Sequence, residues 1–365
     1  NPYKVKFTPD IILGNPSYNT FYGVQGVAQA LFSDVMGNHQ LYIQANLLYD
    51  LKNSSFMVSY YYLPGQIDYS FSGYHTAAYV WLKDGDLYRF RKYGTDIAAY
   101  YPFDFFNRIE WGLGLQAYSR ENLDNSNVSS ITRFLVVPQA RYVHDDVLWG
   151  DFAPVRGSRY NVEITGAPKL ATDGVGFMNI TGDYRTYFDL SDFINIALRG
   201  SAGASMGPNP QKFCAGGTEN WINSSFSNGY LPFENPEDFA FTQFLMPLRG
   251  YAVNALSGDK FFMVNGELRL PMRIFIASPL PMFVQNIHTA AFFDMAGVWS
   301  GSLSNFKATT RDLDGYLVPK NLLIGSGIGL RAYLLGIPAK LDIAWAYLVH
   351  NWSQPKYMFS LGYDF

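Results

Sequence analysis

The sequence predicts an all-β protein, a closed transmembrane antiparallel β-barrel of about sixteen strands whose lumen is plugged by one long loop. Three observations carry that expectation. In the stretch 260–272, Phe262, Val264, Gly266, Leu268 and Leu270 alternate with Met263, Asn265, Glu267 and Arg269. Successive side chains of a strand point to opposite faces, so one face can meet lipid while the other carries charge. The composition is rich in aromatics (17%) and poor in charge (16%), yet mean hydropathy is near neutral at −0.05. No run of about eighteen apolar residues exists to make a transmembrane helix, whereas strands showing lipid every second residue give this balance. Finally, residues 207–260 hold no long alternating segment and are rich in Asn, Ser, Gly and Pro. A connection this long is usually functional or disordered, and it carries Arg249-Gly250-Tyr251 toward a strand whose polar face bears Glu267.

The first eight strands are expected at 3–12, 21–34, 39–50, 55–63, 67–82, 86–101, 107–120 and 131–147. The clearest is 39–50, where Leu41, Ile43, Ala45, Leu47 and Tyr49 oppose Gln40, Tyr42, Gln44 and Asn46. Breaks at Met36-Gly37-Asn38, Pro64-Gly65 and Asp84-Gly85 read as hairpin turns, which makes the chain a meander. The second eight are expected at 159–165, 175–189, 193–204, 261–272, 287–299, 323–334, 339–350 and 357–365. In 339–350, Leu341, Ile343, Trp345, Tyr347 and Val349 form a lipid-type face, with Lys340, Asp342, Ala344 and Ala346 inward. An even total suits a single-chain bacterial barrel. Rings near strand ends, such as Tyr60-Tyr61-Tyr62, Tyr79 with Trp81, and Trp299, fit a membrane interface. Strand parity places the 207–260 loop opposite the short turns after the second and fourth strands, at the extracellular end.

Other chemistry is not expected. A formal charge of −3 argues against a nucleic-acid partner. The single Cys214 excludes an internal disulfide and reads as a small loop residue; no Cys/His cluster is spaced for zinc. No cofactor, metal or enzymatic role is anticipated. His144 and Asp145 are adjacent in a strand and face opposite sides, so His144-Asp145-Asp146 reads as a polar strand end rather than a catalytic set. Gly325, Gly327 and Gly329 have phosphate-loop spacing without a following helix; they read as small inward residues leaving room for the inserted loop. The opening Asn1-Pro2-Tyr3-Lys4 is not a signal peptide, so the chain is expected to be processed or cut from something longer.

Several segments resemble one family. Arg249-Gly250-Tyr251 resembles the Arg-Gly-aromatic signature in the sixth extracellular loop of the BamA superfamily, which includes TamA, Sam and the two-partner secretion transporters. The segment from Phe292 through Asp294 to Trp299 resembles a strand that follows that loop. Phe213-Cys214-Ala215-Gly216-Gly217 resembles the glycine pair at the loop start, and Phe32-Ser33-Asp34 through Gly37 an early strand-turn segment. The resemblance implies a sixteen-stranded barrel whose long loop folds back into the lumen, with Arg249 held by Glu267 and Asp294. An arginine inside a barrel needs carboxylates, and its planar fork can engage two. The alternation Phe359, Leu361, Tyr363, Phe365 resembles the terminal recognition signal of bacterial outer-membrane barrels.

Two features depart from the family pattern. Residues 218–246 separate the glycine pair from the arginine turn, and no periplasmic POTRA domain precedes the barrel in this sequence. The early segment and the Gly216–Trp221 run also look like barrels that follow TolB-like propellers. The implied location is the bacterial outer membrane, with membrane lipid and polypeptide clients or other outer-membrane and periplasmic proteins as partners. The implied activity is polypeptide insertion or translocation through a seam between the first and last strands, where Pro2 and Pro9 remove ladder donors. The alternative is a non-catalytic barrel that anchors a multi-protein complex, with Trp221, Phe226, Tyr230 and Phe233 of the loop as a docking surface. The lumen plug disfavours a passive pore.

Overall fold

Period-two alternation in the sequence becomes alternating burial in three dimensions. The computed structural model describes residues 3–19, 23–46, 52–150, 153–170, 174–191, 194–271, 287–334 and 336–363. Phe261, Met263, Asn265, Glu267 and Arg269 are buried, while the intervening Val264 and Leu268 are exposed. The same rule holds further on: Lys340, Asp342, Ala344 and Ala346 are buried and Leu341 is exposed.

Among the described residues, sixteen long strands run in one antiparallel sheet. They are β1 (Thr8–Asn19), β2 (Gly23–Ser33), β3 (His39–Asn46), β4 (Ser55–Tyr62), β5 (Asp68–Trp81), β6 (Leu87–Pro102), β7 (Asn107–Asn122) and β8 (Ile131–Asp145). They continue as β9 (Pro154–Ala167), β10 (Phe177–Ser191), β11 (Ile194–Met206), β12 (Lys260–Pro271), β13 (His288–Trp299), β14 (Leu322–Leu334), β15 (Ile337–Ala346) and β16 (Lys356–Leu361). Each pairs with its sequence neighbours, as a meander requires. Gly37 and Gly85 take positive φ in the turns before β3 and β6, a conformation that glycine adopts without Cβ strain.

The expected closure is not made by strand pairing. Among the described residues no ladder joins β1 to β16, so the meander keeps two edges at a seam. Several expected boundaries also move. β1 starts at Thr8 rather than at residue 3, and its register shifts between Pro9 and Ile11 where proline supplies no amide. β9 starts at Pro154 rather than 159. β15 ends at Ala346 rather than 350, because Val349 turns to φ +73° and Tyr347 bridges to Trp352. β16 ends at Leu361, where Gly362 at φ +104° turns the chain. Phe21, residues 47–50 and Phe365, all placed in strands above, lie outside the described residues.

The segment between β11 and β12 has a fold of its own. Phe213–Ala215 pairs in parallel with Gln243–Leu245 and antiparallel with Leu256–Gly258, and a short helix spans Asp238–Phe241. Its side chains pack on inward-facing wall residues in four clusters: Phe241 meets Tyr118 and Phe177, and Trp221, Met246 and Val253 meet Phe292, Ala344 and Met358. Phe213, Leu245 and Leu248 meet Phe261, Met263, Val298 and Leu323, while Leu231 and Phe233 meet Val80, Tyr88 and Phe90. Trp221 and Phe233 are only 1% and 5% exposed, and Phe226 and Tyr230 are half-buried. These rings therefore do not form the expected docking surface: an aromatic loop residue facing an apolar wall gains more by burial than by waiting for a partner. Cys214 is fully buried in the central short strand, and burial pushes its thiol up to about 11.

Candidate functional site

Loop and wall are shaped to bring Arg249 against β12–β15. The insertion leaves the glycine pair and returns beside it: Leu248 donates its amide to the Gly217 carbonyl at 2.8 Å and accepts the Gly217 amide at 3.2 Å. The glycine pair and the arginine turn, far apart in sequence, are thus neighbours. Gly250 has φ +94°, and a Cβ there would press on the backbone of Trp345 and Ala346 at 3.0–3.1 Å. Opposite, a Cβ on Gly325 of β14 would sit 2.1 Å from the Arg249 carbonyl oxygen. The turn lies flat on the wall because both positions lack a side chain. Gly327 and Gly329 make room differently from the expectation. A Cβ on Gly327 would strike the Phe292 ring and the Ile343 carbonyl, and one on Gly329 would strike Asp342, all of them wall residues.

The guanidinium of Arg249 engages both expected carboxylates. Its Nε and Nη2 donate to Asp294 Oδ2 and Oδ1 at 2.7 and 2.9 Å, and Nη1 donates to Glu267 Oε1 at 2.7 Å. The backbone amide of Arg249 adds a bond to Asp294 Oδ2 at 3.0 Å, and the Phe292 ring lies 3.6 Å from Cζ, a cation–π contact. Burial opposes the charge on Arg249, yet Asp294 and then Glu267 hold its pKa well above the ordinary range. Tyr251 finishes the turn, its hydroxyl 3.0 and 3.1 Å from the carbonyl oxygens of Ile324 and Tyr347 on β14 and beyond β15.

Sequence reasoning missed the rest of this network. Arg269 Nε and Nη2 donate to Glu267 Oε2 at 3.0 and 2.8 Å, and Arg331 Nη1 donates to Asp342 Oδ1 at 2.7 Å. Asn265 Nδ2 donates to Asp294 Oδ1 and to the Pro247 carbonyl, both at 2.8 Å. Arg249, Arg269 and Arg331 face Glu267, Asp294 and Asp342, and all six are less than 10% exposed. Three cations and three carboxylates cancel, which is how a buried ionic cluster avoids an uncompensated charge. The signal was present: Arg331 and Asp342 occupy inward positions by strand parity. Each carboxylate is engaged by a guanidinium, so the cluster can clamp but offers no free base.

The latch touches the seam. The Gly250 amide donates to Met358 Sδ of β16 at 3.4 Å, and Met358 is fully buried. Phe359 and Leu361 alternate with buried Met358 and Ser360. Tyr363 does not extend their face, since Gly362 redirects the chain; its carbonyl accepts Lys340 Nζ at 3.2 Å and its ring meets Trp149 edge-on. Elsewhere, His144 Nδ1 lies 2.8 Å from Asn107 Oδ1 and its ring stacks on Tyr160. Among the described residues no group of three or more His, Cys, Asp or Glu side chains is placed to hold a metal ion.

Comparison with known proteins agrees with this architecture. The model of the Omp85 superfamily domain matches residues 38–365. BamA from Haemophilus ducreyi, solved without POTRA domains 1–3, is similar over 99% of this chain and 71% of its own, with TM-score 0.65 and 16% identity. CdiB from Acinetobacter baumannii is similar over 99% of this chain and 65% of its own, with TM-score 0.52 and 15% identity. CdiB from Escherichia coli is similar over 100% of this chain and 64% of its own, with TM-score 0.51 and 12% identity. The chain thus spans less than two thirds of either CdiB. No curated protein sequence matches it. With most of its length matched by the family model, and with the sheet and latch just described, the chain is an outer-membrane β-barrel belonging to the Omp85 superfamily.

Proposed function

We propose that this barrel inserts or translocates polypeptides at the outer membrane and that the seam between β1 and β16 is the place where they enter. The observation that carries the reading is the missing ladder between these two strands among the described residues. A strand edge with open amides and carbonyls is a template for another strand. On β1, residues 8–14 are exposed throughout, including Ile11, Ile12 and Leu13, so its backbone edge lies beside a surface suited to lipid or to an apolar client. Superfamily membership supports the same reading. In it, Arg249, Gly250, Tyr251, Glu267 and Asp294 latch the loop against the wall, and Met358 couples the latch to the last strand.

The test is a reversible lock. Cysteine pairs placed along 8–14 and 357–361, in a Cys214→Ala background, are closed by oxidation in cells and reopened by reductant. Appearance of newly made proteins in the outer membrane is then followed by pulse labelling. Arrest on oxidation and recovery on reduction are expected. Unchanged assembly with the lock fully closed would overturn the reading.

A further inference from the structure

One edge of the seam is already taken. β16 pairs with β15 from Lys356 to Leu361, and the Gly362 amide bonds to the Pro338 carbonyl on that side at 2.8 Å, so by alternation the amides and carbonyls of Tyr357, Phe359 and Leu361 aim the other way, toward the seam. There they meet residues 220–223 of the long loop. Ile222 donates its amide to the Phe359 carbonyl at 2.8 Å, and Leu361 donates its amide to the Asn220 carbonyl at 3.2 Å. The Asn223 side chain completes the row: its Oδ1 accepts the Phe359 amide at 3.0 Å and its Nδ2 donates to the Tyr357 carbonyl at 2.9 Å.

This contact has the geometry of a strand. Trp221 stands opposite Ser360 in an antiparallel bridge, and the bonds at Ile222 and Leu361 flank that bridge in the ladder pattern of a non-hydrogen-bonded pair. The side chains alternate as in a barrel strand. Trp221 is buried with Met358, Phe292 and Val253, and Lys356 Nζ lies 5.6 Å from its ring centre, whereas the next residue, Ile222, is 40% exposed. Asn220 at φ +51° turns the chain into this run.

We propose that residues 220–223 are an internal edge cap. They occupy the strand-docking edge of β16 as a stand-in for an extended polypeptide with an inward aromatic and an outward apolar side chain, and they must leave before another strand pairs there. That an incoming client is what displaces the cap rests on the function proposed above; the occupancy of the edge does not. The latch and the cap belong to one loop and meet at β16, since Met358 touches both Gly250 and the Trp221 cluster. Displacing the cap therefore pulls on the segment that leads to Arg249.

The purified full chain in lipid nanodiscs provides the test, with a photoreactive benzophenone side chain at Tyr357, which is exposed on the outer face. The probe is a biotinylated peptide with the sequence of residues 218–226. Three forms are compared in a Cys214→Ala background: the unaltered cap, a weakened cap carrying Ile222→Pro and Asn223→Ala, and a cap locked by an Ile222→Cys/Phe359→Cys disulfide. The two substitutions remove the Ile222 donor and the asparagine clamp. Peptide capture is expected to rise at least about tenfold in the weakened form, to vanish in the oxidised lock and to return on reduction. Equal capture in all three forms, or failure of the cysteine pair to join in the folded barrel, would overturn the cap. Should the weakened form misfold, the lock alone decides, because it compares one chain oxidised and reduced. Capture that follows the cap while a closed seam leaves assembly intact in cells would sink the proposed function and keep the cap.

Discussion

The long loop is held differently by the late and the early strands of the wall. Against β12–β15 it presents Arg249, whose bonds to Asp294 and Glu267 sit in a six-member charge cluster. Against β5–β10 it presents Leu231, Phe233 and Phe241, packed on Val80, Tyr88 and Phe90 and on Tyr118 and Phe177, with ion pairs from Glu234 to Lys83 and from Glu237 to Arg133 at the margin. The first contact is directional and depends on an exact count of charges, while the second tolerates any apolar group of similar volume. Beside the second contact, the inner face across β2–β6 also holds a cavity of about 460 Å³ lined by Gln44, Tyr74, Lys92 and Asp96. The loop is therefore pinned by buried charge on the side of the last strands, and held by apolar packing with more exposed ion pairs, the looser kind of contact, on the side of the early ones.

Breaking the pinned side is expected to have the largest effect. Arg249→Leu leaves Asp294 with Asn265 as its remaining side-chain donor, whereas Glu267 keeps Arg269. Removing one member of a buried ion pair costs about 3–5 kcal/mol, because the partner stays buried and charged. The expected outcome is release of the loop, read as new protease cleavage within 207–260 and a lower transition temperature in heat-modified gel mobility. Adding Asp294→Asn to Arg249→Leu removes the orphaned charge, so the double variant is expected to lose less than the sum of the single ones. Strict additivity would show that the pair is not coupled.

The loose side is sharpened by Phe233→Leu, which keeps an apolar side chain against Phe90 and Phe239. This change keeps most of the buried volume filled, so it costs less than the roughly 3–5 kcal/mol of a Phe→Ala truncation. The same protease and gel assays are expected to show a small shift and an intact loop. A loss equal to that of Arg249→Leu would erase the distinction between the two sides.

How much of this was legible in the sequence follows from how far each signal reaches. The wall was readable wherever alternation is local, as in β12, where Glu267 and Arg269 declare the inward face by parity. Strand ends were less so, because Pro154 and Gly157 interrupt the alternation at the start of β9 and hide its first turn. The Arg249, Asp294 and Glu267 set came from resemblance to a family, with parity agreeing for Glu267. Arg331 and Asp342 could have been added by the same parity. The cap could not: a four-residue pairing has no periodicity to detect, and its partner lies more than 130 residues away. Trp221 was misread as surface for the same reason, since the burial of a loop ring is decided by what it meets in space.

The smallest expected effect is a pH dependence confined to the loose side. Glu237, 4% exposed beside the short helix, sits 3.2 Å from Arg133 Nε of β8, with Asp238 as its neighbour in sequence. Burial raises its pKa above the ordinary carboxylate range, and Asp238 adds to the rise, while Arg133 and Arg120 oppose it. A carboxyl with a raised folded pKa binds its proton more readily when the loop is seated than when it is released, where it titrates near about 4.3. The seated loop therefore holds more protons across that window, and its stability falls as pH rises through the folded value. The contribution is complete below the released pKa and gone above the seated one. Amide exchange at 238–241, corrected for intrinsic rate, is expected to accelerate across that interval in the native chain and to stay flat in Glu237→Gln. Arg249 stays charged at these pH values, so the pinned side gains no such dependence from its guanidinium. A parallel change in exchange around Gly250 would mean that the two sides release together.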